Sequence, residues 1–154
     1  MRDATNDYLS QIIKYDRIIE NKQDEIIRFR NLLASMTAKL KDENVQLTVD
    51  KDKMSAYMSQ IVDDEREIEQ LLTQRRIIIG QIEDFSMDPR LYQVLYCRYV
   101  DGTTISEACS RIKCSRTKAH ELHHQALDDF EKVYGHLYMK NRRKRKKVDT
   151  TEKD

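Results

Sequence analysis

Apolar side chains recur at every seventh position through Ile12, Ile19, Ile26, Leu33, Leu40, Leu47, Met54, Ile61 and Ile68; Arg75 interrupts the series and Ile82 resumes it. A companion series three residues later supplies Tyr15, Phe29, Met36, Tyr57, Leu71, Ile78 and Phe85. A sustained 3.5-residue spacing keeps one narrow apolar stripe on one side of a helix, which is the seam of a coiled coil. The companion series turns acidic at Glu43 and Asp50, and Val45, Leu47 and Val49 between them alternate strictly, a poor fit to a helix face. Residues 43–52 are therefore read as a loop joining two helices, 6–42 and 53–86, each about 50–55 Å long at 1.5 Å per residue. Near-equal lengths predict an antiparallel hairpin. Because neither Gly nor Pro marks the loop, one unbroken helix in a parallel dimer remains the competing arrangement.

Composition agrees with an all-α chain. Charged residues make up 36%, with only 3 Gly and 1 Pro among 154 residues, which leaves too few turn-formers for a many-stranded sheet. No apolar run approaches the ~20 residues that cross a bilayer, and the N-terminus lacks the apolar core of an export signal. The expectation is a soluble cytoplasmic protein with no membrane partner. Three cysteines, Cys97, Cys109 and Cys114, are an odd number and are expected to be free thiols.

The net charge of +1 conceals a polarity. Residues 1–86 carry 13 basic and 17 acidic side chains, whereas residues 87–154 carry 15 and 10. The basic half also holds a chain of helix punctuation. Asp88-Pro89 sets a capping carboxylate before a proline at the first helical position, where a missing N–H costs nothing. A helix to about Val100 follows, with Leu91, Val94, Leu95 and Tyr99 as its buried side, and Asp101-Gly102 ends it. Thr104 and Glu107 form a capping box for a helix over 105–112. Lys113-Cys114 is the turn, and Ser115 caps a last helix over 116–138. The expected division is a helical hairpin arm at 1–86, a helix-turn-helix domain at 87–139 and a basic tail at 140–154.

A helix-turn-helix delivers the first turn of its second helix into the major groove of double-stranded DNA. Here Ala119, Leu122, His123, Ala126, Leu127 and Phe130 form one face, expected to pack on Ile105, Ala108, Cys109 and Ile112. The opposite face holds Arg116, Thr117, His120, Glu121 and His124. Arg116, Thr117, His120 and Glu121 are the candidate base readers: Arg116 for guanine O6 and N7, Thr117 for a thymine methyl or a base edge, Glu121 for cytosine N4. Arg111, Lys113, Ser115 and Lys118 are candidate phosphate contacts, which position without specifying. The tail adds Lys140, Arg142, Arg143, Lys144, Arg145, Lys146 and Lys147, a block that repels itself and is expected to be disordered until it meets an anion. A plain three-helix bundle with a solvated face is the alternative. Four basic and no acidic residues between Arg111 and Lys118 argue against it.

The segments Thr104-Ile105-Ser106-Glu107, Ile112-Lys113-Cys114-Ser115-Arg116 and Ala126-Leu127, with the approach Leu95-Tyr96-Cys97-Arg98-Tyr99-Val100-Asp101-Gly102, resemble the C-terminal promoter-reading domain of bacterial sigma factors over about 40 residues. The chain as a whole is similar to small phage and prophage proteins of the RinA and ArpU late-transcription activator group. Val45-Gln46-Leu47-Thr48-Val49-Asp50-Lys51-Asp52-Lys53-Met54 and Asp63-Asp64-Glu65-Arg66-Glu67-Ile68 resemble that group's arm. The resemblance implies activation of phage late genes by promoter binding, together with host RNA polymerase. Two positions depart from the pattern. Lys113 stands where glycine is usual, which implies a left-handed backbone costing roughly 1 kcal/mol, and Cys109 replaces a small alanine.

Other chemistries are weakly signalled. Cys109, Cys114, His120, His123 and His124 have loosely zinc-like spacing, but they fall on opposite helix faces. With no phosphate-cradling glycine loop and no paired carboxylates in a cleft, no enzyme activity and no cofactor are expected. Few base contacts come from one recognition helix, so a homodimer through the arm or the first C-terminal helices is expected. A small-terminase-like DNA-packaging subunit and a coiled-coil adaptor without specific DNA binding are the rival readings.

Overall fold

The computed structural model describes the backbone of residues 2–42 and 51–151, and the side chains of 2–39, 41 and 51–139. Every regular element among the described residues is helical: α1 (Arg2–Leu9), α2 (Gln11–Asp42), α3 (Lys51–Asp84), α4 (Pro89–Leu95), a π-helical turn (Tyr96–Val100), α5 (Ile105–Ile112) and α6 (Arg116–Thr151). The expected loop at 43–52 lies outside the described residues, except for Lys51 and Asp52, which already belong to α3. The chain divides into two compact units, one of residues 15–74 and one of residues 1–14 with 75–154.

In the 15–74 unit the two long helices run antiparallel. Lys22 pairs with Asp64 and Glu67, while Phe29, one turn pair further along α2, stacks on Tyr57, earlier in α3, with ring centroids 5.3 Å apart. Contacts that move backwards along one helix as they advance along the other exclude a parallel pairing of unbroken helices. The heptad residues Ile19, Ile26 and Ile61 are buried, and Leu33, Met36, Met54, Ile68 and Leu71 are half-buried. The seam is thus filled within a single chain, and it no longer motivates a dimer by itself.

The other unit groups residues 1–14 and 75–86 with the C-terminal helices. The first helix begins at Arg2 rather than near residue 6, and α1 lies along α6. The Arg2 guanidinium makes two 3.0 Å hydrogen bonds to the Asp128 carboxylate, and the hydroxyls of Thr5 and Tyr138 are 2.8 Å apart. The Tyr8 ring stacks on Tyr138 at 4.5 Å, and its hydroxyl donates to Gln81 Oε1. Leu9, Ile12, Ile82, Val94, Leu95, Tyr99, Ala108, Ala119, Ala126 and Phe130 form its core, all with no accessible surface. Burial of that apolar area is what joins residues 1–14 and 75–86 to the C-terminal helices.

Capping decides where the short helices start. Asp88 accepts the Arg90 N–H at 2.9 Å ahead of Pro89, as the sequence implies. The last helix, by contrast, does not stop at 138. Its backbone is helical to Thr151, through the basic block at 140–147. No Gly or Pro follows Gly135, and Lys and Arg lose little rotamer freedom in a helix.

Candidate nucleic-acid interface

The turn between α5 and α6 is built by local hydrogen bonds. The Glu107 N–H donates to Thr104 Oγ1 at 3.2 Å and the Thr104 N–H donates to Glu107 Oε2 at 3.0 Å, completing the capping box. Upstream, Gly102 takes φ +70°, and the Thr103 hydroxyl donates to the Cys97 carbonyl at 2.8 Å, folding the chain back from the π-helical turn. Lys113 ends α5 in the left-handed region (φ 59°, ψ 49°), where glycine would meet no steric penalty. The Cys114 N–H donates to the Cys109 carbonyl at 3.2 Å. Ser115 then caps α6, its Oγ accepting the Lys118 N–H at 3.2 Å.

The packing face of α6 matches its sequence pattern. Ala119, Leu122, Ala126, Leu127 and Phe130 are buried, opposite a buried Ala108, with Ile105, Cys109 and Ile112 half-buried. The candidate base readers Arg116, Thr117, His120 and Glu121, with His124, are all exposed. At 100° per residue they span an arc of about 140° over the first two and a half turns. The structure therefore brings these five together on one open face.

The candidate phosphate contacts divide into three groups. Lys113, Ser115 and Lys118 are exposed on the turn and the first turn of α6. Lys118 Nζ lies 3.6 Å from Glu121 Oε2, a solvent-screened pair of little energetic weight that a phosphate can displace. Arg111 is otherwise engaged. Its Nη1 sits 2.6 Å from Asp101 Oδ2, and hydrogen bonding to the Cys97 thiol, then to Asp101, raises its pKa further. Arg111 ties α5 to the end of the π-helical turn through a pair that is itself open to solvent. Lys140, Arg142, Arg143, Lys144, Arg145, Lys146 and Lys147 have side chains outside the described residues. On the α6 axis Lys140 stands 24 residues, about 36 Å, beyond Arg116.

A buried polar chain behind α6 was not legible in the sequence. The Tyr99 hydroxyl donates to Asn6 Oδ1 at 2.6 Å and lies 3.0 Å from His123 Nε2. With its proton directed at Asn6, the Tyr99 oxygen accepts from the Nε2–H tautomer of His123. Burial pushes the Tyr99 phenol up to about 12 and the His123 imidazole down to about 4, the latter helped by the positive charge of His124, Arg98 and His120. Both groups are held neutral near pH 7. Cys109, a candidate zinc ligand by spacing, donates its thiol to the Ser106 carbonyl at 2.8 Å. No group of three or more His, Cys, Asp or Glu among the described residues is placed to hold a metal ion.

No known family, curated protein or solved structure matches this chain. What the structure itself defines is an all-helical protein. None of its described helices is long and apolar enough to cross a membrane.

Proposed function

We propose that this chain is a sequence-specific, double-stranded DNA-binding transcription regulator that works without catalysis or cofactor in the bacterial cytoplasm. The observation that carries the reading is the arc of Arg116, Thr117, His120 and Glu121. It stands exposed on the first turns of a helix whose start is set by the Ser115 cap and whose back is buried against α5. Such a face presents a bidentate guanidinium, a methyl-bearing hydroxyl and a carboxylate, which match the distinct edges of base pairs in the major groove. Lys113 and Lys118 flank it as phosphate clamps. The resemblance of 95–127 to a sigma promoter-reading domain extends the reading to activation of phage late genes at promoters with host RNA polymerase.

Capture and sequencing of sheared source-genome DNA at physiological salt tests it, with wild type beside an Arg116→Ala/Thr117→Ala variant. The expected result is one sharp peak upstream of a gene block, lost in the variant. Flat profiles for both proteins would sink sequence reading and leave an adaptor role. A peak at a packaging gene would point to a terminase-like role. Transcription from the captured site by purified bacterial polymerase, with and without the protein, tests the activator part. A homodimer on DNA belongs to this reading, because two recognition helices multiply the few contacts one can make. A monomer by light scattering, with and without the captured site, would remove it.

A further inference from the structure

Among the described residues, two polar side chains occupy the seam of the 15–74 unit. Lys22 falls midway between Tyr15 and Phe29, and Asp64 midway between Tyr57 and Leu71, so both stand in the companion series between apolar neighbours. Asp64 is 1% exposed. Lys22 Nζ lies 3.5 Å from Asp64 Oδ1 and 2.5 Å from Glu67 Oε2, and Gln60 Nε2 donates to Asp64 Oδ1 at 3.0 Å. Asp64 Oδ2 has no hydrogen-bond partner among the described residues. A buried carboxylate with one oxygen unpartnered costs stability relative to an apolar residue that would continue the seam. Its presence calls for a reason other than stability.

We propose that the Lys22–Asp64 pair is an orientation and register lock: it commits α2 and α3 to each other and keeps the seam from pairing in parallel with a second copy of the chain. The heptad residues cannot do this, since Ile, Leu and Met tolerate either orientation. In a parallel, in-register pair of copies each seam position meets its own equivalent. Lys22 would then face a second Lys22, and Asp64 a second Asp64, two buried like-charge layers. Within one antiparallel chain the same residues meet as opposites. A slip of one heptad would set Lys22 against Tyr57 or Leu71 and strand the Asp64 carboxylate. Single polar residues at seam positions select register and oligomer state in this way, at a cost in stability. The neighbouring Arg30–Glu65 pair is half exposed on both sides and cannot exert comparable selection.

The test uses the full chain and four proteins: wild type, Lys22→Leu/Asp64→Leu, Lys22→Asp, and the exchanged Lys22→Asp/Asp64→Lys. Sedimentation equilibrium over a wide concentration range and thermal melting are read together. The leucine pair is expected to double its mass relative to wild type as concentration rises. Lys22→Asp is expected to melt lower, and the exchanged pair, which still lacks the Lys22–Glu67 contact, to recover part of that loss and the mass of the wild type. A leucine pair that keeps the wild-type mass throughout would overturn the proposal, even if it melts higher. So would an exchanged pair that melts as low as Lys22→Asp, because register would then be set elsewhere.

Discussion

Arg116 carries more of the proposed function than any other side chain, and its substitution separates reading from mere attraction. Arg116→Ala is expected to cost about 1–3 kcal/mol on the true site and to relax its sequence, while leaving random DNA almost unaffected. Titrations on both DNAs check it, and equal losses on each would remove the base-reading role. Lys113 offers a test of the turn. Because it adopts φ 59°, Lys113→Gly should stabilise the fold by about 0.5–1 kcal/mol, measured by urea unfolding. His123 links the core to pH. Its folded pKa of about 4 lies below the ordinary 6.5, so between these values the unfolded chain binds more protons than the folded one. Its contribution is fully present above about 6.5 and is lost as pH falls toward about 4. The urea midpoint should therefore drop across that window, and His123→Gln, which keeps an N–H donor for Tyr99, should flatten the drop. The positions of Arg116 and Lys113 were legible in the sequence because caps and turns are written within three or four residues. The neutral state of His123 was not, since it depends on Tyr99 and on burial.

At the scale of elements, α6 is the one to interrogate. It carries reading residues at one end and the basic block at the other, about 36 Å away along the axis. At 3.4 Å per base pair that distance corresponds to roughly 10 base pairs. Deleting residues 140–147 should accordingly weaken binding to a long duplex of any sequence and flatten its salt dependence. The same deletion should leave a duplex no longer than the recognition site nearly unaffected. Equal losses on both duplexes would mean that the block folds back onto the site. The starts of α4, α5 and α6 fell where Pro89, the Thr104–Glu107 box and Ser115 put them. The end of α6 did not, because a run of like charges suggests repulsion while its individual residues favour helix.

At the scale of the whole chain, α1 shows how far the C-terminal helices depend on the N-terminus. Removing residues 2–9 deletes the Arg2–Asp128 pair and the fully buried Leu9, and uncovers the rings of Tyr138 and Phe130. Burying a leucine alone contributes about 1.5–3 kcal/mol. The truncated chain should therefore lose at least that much, seen as an early melting step in calorimetry. An unchanged melting profile would show that α1 is an appendage.

Periodicity and capping are short-range physics, so the helical class, the seam residues, the antiparallel hairpin and the exposed arc on α6 could all be read from residue order. Pairing between distant residues depends on the path of the chain, which only burial of a common core settles. That is why Lys22 against Asp64, Arg111 against Asp101, Asn6 against Tyr99 and α1 against α6 emerged only in three dimensions. The same cause groups residues 1–14 and 75–86 with the C-terminal helices. Apolar positions announce that they will be covered, but the covering surface is chosen by the folded whole.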